Sequence, residues 1–253
     1  MVEVYHRVDG PDDGPPLLMI NSLGADLRMW DPQVPALTRR HRMIRYDARG
    51  HGRSPVPEGR YSLADLGRDA LALLDRLGIA SADVCGLSLG GMTAMWLAAH
   101  APDRVRRLVL CCTSALLGPP EQWAGRAATV RAHGTAAVAD AVVARWLTPR
   151  YAVAHPDTVA YLREMIAATP AAGYAAACHA IEDMDLRPDL PRITAKTLVI
   201  AGADDPSTPP AHAREIAAGI PGARLEILAD AAHLATYEQP EAANRLILEA
   251  LDG

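Results

Sequence analysis

The spacing of apolar positions divides the chain into short strands and longer helices. Val2–Val8 predicts a first strand, closed by the turn cluster Asp9-Gly10-Pro11-Asp12-Asp13-Gly14. Pro16–Ile20 ends in an uninterrupted Leu-Leu-Met-Ile run, the signature of a strand buried on both faces. Arg42–Tyr46 predicts the next strand. Ser62 is placed to cap a helix whose Leu63, Leu66, Ala70, Leu73, Leu74 and Leu77 recur at helical spacing, with Gly78 as its stop. A strand at Ala82–Cys85, a helix at Ser88–His100 and a strand at Val105–Cys112 follow. Strand–helix–strand alternation of this kind predicts a parallel sheet covered on both faces.

The alternation lapses from about Gly118 to Leu190. That stretch is Ala-rich and helical in pattern, with breaks expected at Gly134, Pro149, Pro156, Pro170 and Gly173. Alternation resumes with a strand at Thr197–Ala201, a helix at Pro210–Ile220, a strand at Arg224–Leu228 and a helix at Glu241–Leu251. The expected organisation is an α/β core from 1–117 and 191–253, interrupted by an all-helical insertion over 118–190.

Composition narrows the class. The chain has 253 residues, half of them hydrophobic and 22% charged, as a globular domain requires. Twenty-five basic against thirty acidic residues give a net charge of −5, which argues against nucleic acid or an anionic membrane as partner. The basic run Arg39–Arg42 has no stacking aromatics and reads as a solvated loop. The four cysteines show no metal-ligand spacing, so neither a metal nor a disulfide is expected. The start of the chain has no apolar leader and no apolar run approaches a membrane span, so a cytoplasmic protein is expected.

Gly86-Leu87-Ser88-Leu89-Gly90 is a GxSxG pattern lying between a strand and a helix. A serine on so tight a turn takes a strained backbone conformation that holds its hydroxyl clear of the sheet. A serine hydroxyl is a weak nucleophile and needs a base. His233, in the loop after the last strand, can reach back over Ser88 from the carboxyl edge of the sheet, where open α/β sheets place their sites. His51, in Asp47-Ala-Arg-Gly-His-Gly52, is the competing base but reads better as part of a turn that pins neighbouring loops. The other seven histidines, His212 among them, read as surface or packing residues. The base needs an acid, and Asp205 is preferred over its neighbour Asp204 at the end of a strand. Backbone N–H groups of Leu89, after the nucleophile, and Leu23, after the first buried strand, are the expected oxyanion donors.

These segments resemble the α/β-hydrolase superfamily, and within it the 3-oxoadipate enol-lactonases. The resemblance is carried by Asn21–Gln33, Tyr46–Ser54 and Gly86–Met92, and in the insertion by Glu121–Trp123, Arg145–Pro149 and Gly173–Cys178. It implies a mostly parallel sheet of seven or eight strands, seven if the family's usual first strand is missing here, with the insertion as a helical cap. It also implies a cofactor-free serine hydrolase that opens 3-oxoadipate enol-lactone through an acyl-enzyme, in aromatic-acid degradation. The partner would be a small lactone bearing a carboxylate. A net-negative protein needs local cations for such a substrate; Arg126, Arg131, Arg145 and Arg150 are the candidates, with Trp123 and Trp146 as walls. Trp30 reads as packing under the oxyanion loop. Two positions depart from the family's pattern: Ala232 stands where glycine is common, and Leu147 where phenylalanine is expected. A general carboxylesterase or perhydrolase, a C–C bond hydrolase and a non-catalytic ligand receptor are the alternative readings.

Overall fold

The computed structural model describes residues 1–252. Its centre is a seven-stranded sheet ordered β1-β3-β2-β4-β5-β6-β7. The strands are β1 (His6–Asp9), β2 (Pro16–Ile20), β3 (Arg42–Tyr46), β4 (Ala82–Leu87), β5 (Val105–Cys111), β6 (Lys196–Gly202) and β7 (Arg224–Leu228). Among the described residues only the β1–β3 pair is antiparallel. Seven is the smaller of the two expected strand counts. The first strand is shorter than expected: its ladder begins at His6, opposite Tyr46, and Val2–Tyr5 leads into it.

Side-chain alternation on the inner strands builds two cores. Leu18 and Ile20 point to one face, Leu17 and Met19 to the other. On the first face lie α1 (Leu63–Arg76) and α2 (Leu89–His100). The α1 start is fixed by a reciprocal cap: the Ser62 hydroxyl accepts from the Asp65 N–H, and Asp65 accepts from the Ser62 N–H. On the second face lies the last helix, through Leu246, Ile247 and Leu251.

Five helices stand between β5 and β6: α3 (Pro120–His133), α4 (Ala136–Trp146), α5 (Pro149–Ala154), α6 (Pro156–Ala167) and α7 (Ala171–Glu182). Proline opens α3, α5 and α6, where a missing N–H costs nothing. Ala127, Val130 and Tyr174–Ile181 continue the first core; Val142, Val143, Trp146, Leu162 and Ile166 continue the second. Gly173 is no break. It lies inside α7, where a Cβ would come 2.1 Å from the Gly50 carbonyl oxygen, so the glycine serves a close backbone approach instead. After β6 come α8 (Pro210–Gly219), the short α9 (Ala235–Glu238) and α10 (Pro240–Asp252). Among the described residues no helix is long and apolar enough to cross a membrane. All four cysteines are buried free thiols.

Candidate active site

Strand β4 delivers the chain into a sharp turn. Ser88 sits there at φ 57°, ψ −118°, a strained region for a side-chain-bearing residue, and α2 starts at Leu89. The turn is too tight for side chains on either flank. A Cβ on Gly86 would meet the Gly90 oxygen at 2.2 Å, and one on Gly90 would meet the Ile20 oxygen at 2.1 Å. Neighbouring strands hold the strained residue: the Ser88 N–H donates to Cys111 O (3.0 Å), and its carbonyl accepts from the Thr113 hydroxyl (2.7 Å).

Asp205 and His233 come together at the carboxyl ends of β6 and β7. His233 Nδ1 lies 2.8 Å from Asp205 Oδ2, and a carboxylate accepts, so Nδ1 carries the proton and Nε2 is the basic nitrogen. Three further donors orient the carboxylate: Ser207 N–H (2.7 Å) and Thr208 N–H (3.0 Å) on Oδ1, and the Thr208 hydroxyl (2.7 Å) on Oδ2. Burial pushes the Asp205 carboxyl up, but His233 and these donors outweigh it and hold it below the ordinary value. Asp204 is exposed and its N–H is used by Ala231 O, so of the two adjacent aspartates it is Asp205 that meets the imidazole.

The loop after β2, Asn21–Gly24, approaches from the other side. Asn21 Nδ2 donates to Tyr46 O (2.7 Å). His51, the competing base of the sequence reading, is turned to this loop: Nδ1 donates to Arg49 O (3.1 Å) and Nε2 accepts from the Gly24 N–H (3.0 Å). Both ring nitrogens are thus consumed in holding the loop. Burial depresses the His51 pKa and keeps the ring neutral, against the Arg49 carbonyl that favours the proton. Asp47 accepts from Leu27 N–H and Arg53 N–H, both at 2.8 Å, and fixes the next turn. Among the described residues neither the Leu23 nor the Leu89 N–H has an acceptor in the chain.

Ser88, His233 and Leu23 line one cavity of about 270 Å³ beneath the inserted helices. Trp123, Arg126, Arg145 and Trp146 line it too, whereas Arg131 does not: it bonds His179 Nε2 at 3.0 Å. Arg150 faces a separate surface depression beside Asp204. Arg145 is tied to Ser207 Oγ (3.1 Å) and Pro206 O (2.9 Å). Arg126 lies 4.7 Å over the Trp123 ring and has no carboxylate partner among the described residues. Trp123 itself is fixed by its indole N–H on Leu117 O (2.8 Å). Among the described residues no Asp or Glu lines the cavity, although acidic residues exceed basic ones in the whole chain. Trp30 is fully buried in the core, and Leu147 is buried away from the cavity.

His212 was not expected at the site, yet it lines the cavity from α8. Its Nδ1 is 2.6 Å from Ser114 Oγ, which is itself 2.5 Å from Leu116 O. A carbonyl only accepts, so the hydroxyl hydrogen goes to Leu116 and His212 Nδ1 must be the donor to Ser114. Its Nε2 is therefore also the unprotonated nitrogen of the neutral ring. The Thr-Pro-Pro run before His212 does announce a helix start, but not which face of the helix meets the cavity.

Residues 15–240 match the alpha/beta hydrolase fold family. The chain is 40% identical to 3-oxoadipate enol-lactonase 2 of Acinetobacter baylyi, over 97% of this chain and 92% of that one. A crystal structure of the enol-lactonase from Burkholderia xenovorans LB400 superposes with a TM-score of 0.97 at 43% identity, covering 99% of this chain and 96% of that one. A malate-bound thermophilic esterase from Thermogutta terrifontis superposes with a TM-score of 0.94 at 30% identity, covering 99% and 93%. The chain belongs to the α/β-hydrolase family, with the fold of that family, and is a carboxylic ester hydrolase.

Proposed function

We propose that the protein is a serine hydrolase that opens 3-oxoadipate enol-lactone to 3-oxoadipate through an acyl-enzyme, in the degradation of aromatic acids. The observation that carries this reading is the cavity: it joins a strained serine and a carboxylate-backed imidazole to two arginines, with no acidic side chain in its lining among the described residues. A lactone with a free carboxylate matches that combination.

In this reading His233 Nε2 takes the proton of Ser88 Oγ as the oxygen attacks the lactone carbonyl. The developing oxyanion is held by the Leu23 and Leu89 N–H groups, each such donor contributing about 3–4 kcal/mol to the transition state. The C–O bond then breaks, and the leaving enol oxygen receives the proton from His233. The enol becomes a ketone, which cannot readily close the ring again. Water gives a proton to His233 and attacks the acyl carbonyl; the bond from that carbon to Ser88 Oγ then breaks, and Oγ takes the proton back from His233 as the acid leaves. Asp205 stays ionised throughout and stabilises the imidazolium.

Arg126 is the group assigned to the substrate carboxylate, because Arg145 is already held by the Pro206–Ser207 segment. Residues 118–190 act as the cap that closes the cavity, with Trp123 and Trp146 as its walls. The reaction proceeds in the cytoplasm, with no metal or organic cofactor.

The test is a spectrophotometric comparison of the enol-lactone with p-nitrophenyl acetate. The reading predicts a higher kcat/KM for the lactone by at least about 100-fold, the size of effect a positioned charge pair supplies. Equal or reversed preference would favour a general esterase, and tight binding without turnover a receptor.

A further inference from the structure

The residues on either side of His233 are both held by the inserted helices. The Leu234 N–H donates to the carbonyl of Trp146, at the end of α4, at 2.8 Å. The Ala232 N–H donates to Glu238 Oε2 at 2.5 Å. The other oxygen of that carboxylate, Oε1, accepts from the N–H and the hydroxyl of Thr148, both at 2.7 Å. Thr148 is in turn the cap of α5, its hydroxyl accepting from the Tyr151 N–H at 3.2 Å. Residues 146 and 148 thus grip residues 234 and 232, one directly and one through Glu238.

Glu238 is an unusual choice for a merely structural link. It is 7% exposed, and among the described residues it forms no ion pair. A buried carboxylate is retained at the cost of its hydration only where several donors replace that hydration. Here three donors converge, from two segments far apart in sequence. A carboxylate is the side chain that offers an acceptor to both segments. Glutamine must turn its NH₂ group toward a donor on one side or the other.

We propose that Glu238 is a positioning residue that couples the helical insertion to the imidazole of His233. Trp146, whose carbonyl holds Leu234, also lines the cavity. The placement of the insertion thereby fixes the backbone on both sides of His233, and with it the reach of the imidazole toward Ser88. Displacements of about 1 Å in such a constellation are enough to cost on the order of 100-fold in rate. The inference rests on the reading of His233 as base, and its test separates the two.

The test is the second-order rate of inactivation by diisopropyl fluorophosphate, a small reagent that requires an activated serine, in folded protein verified by circular dichroism. Glu238→Gln is expected to lower this rate about 10–100-fold and kcat in parallel, with KM within about threefold, because alignment and not binding is lost. Thr148→Val, which removes the hydroxyl donor to Glu238 together with the α5 cap and keeps the Thr148 N–H, is expected to lower it about 3–10-fold, and the double variant to show less than the product of the two effects. A folded Glu238→Gln variant labelled within twofold of the parent overturns the coupling. If that variant does not fold, Thr148→Val labelled at the parental rate overturns it instead. His233→Ala labelled as fast as the parent overturns the base reading itself; His233→Ala silent with Glu238→Gln at the parental rate overturns only the coupling.

Discussion

Two imidazoles line the same cavity with the same tautomer. His233 donates Nδ1–H to the Asp205 carboxylate, and His212 donates Nδ1–H to the Ser114 hydroxyl. Each leaves Nε2 as the basic nitrogen. The difference lies in what stands behind the ring. When His233 takes a proton, its positive charge forms beside a buried anion oriented by three other donors. When His212 takes one, the charge forms beside a neutral oxygen whose own hydrogen is committed to Leu116. Charge-assisted hydrogen bonds are roughly twice as strong as neutral ones, so only the first ring is prepared for the imidazolium of a transition state. His51 completes the series: both its nitrogens are spent inside the protein, and it can neither take nor give a proton at the site. The partner, more than the cavity, makes a base.

The comparison breaks first at Ser88, the proposed nucleophile. Ser88→Ala is expected to reduce enol-lactone hydrolysis by at least about 10⁴-fold in initial-rate assays while the fold survives. The carboxylate that distinguishes the two rings comes next. Asp205→Asn is expected to cost about 10³–10⁴-fold in kcat, whereas Asp204→Asn costs less than about threefold. The reverse ranking moves the acid by one residue.

A smaller effect separates the cations of the cavity from its bases. Arg126→Ala is expected to raise KM for carboxylate-bearing esters about 10–100-fold and to leave neutral esters within about threefold. Equal losses on both substrate types would remove Arg126 from substrate recognition.

The smallest effect belongs to His51 and is read in stability. Its folded-state pKa is depressed by burial, so the unfolded chain takes up the proton first as pH falls. The stability this neutral ring contributes is therefore full above the ordinary histidine value of about 6.5 and is lost progressively below it. Melting temperatures between pH 8 and 5 should fall less steeply in His51→Gln than in the parent. Parallel curves would show that the ring titrates alike in both states.

Much of this was legible from the residues. The apolar run at Pro16–Ile20 is a strand because it has a core on each face, and the Ser62 cap is local chemistry that folds as it reads. The Gly86–Gly90 elbow is equally local, since both glycines are dictated by backbone within the turn or one strand away. What could not be read is whatever depends on where distant helices land. His212 sits on a half-exposed helix whose facing is decided by packing against β6 and β7. Arg126 and Arg131 are five residues apart on α3, yet one lines the cavity and the other serves His179. Gly173 carries a break signal that its close approach to Gly50 overrides. The link from Thr148 through Glu238 to Ala232 spans 90 residues and has no sequence pattern at all.

The most direct measurement is the pair of rates for His233→Ala and His212→Gln on the enol-lactone, each against the parent. A loss of at least about 10³-fold is expected for the first and less than about tenfold for the second. Equal losses, or a larger loss at His212, would contradict that expectation, because two rings of one tautomer in one cavity would then be doing the same work without regard to the anion behind one of them.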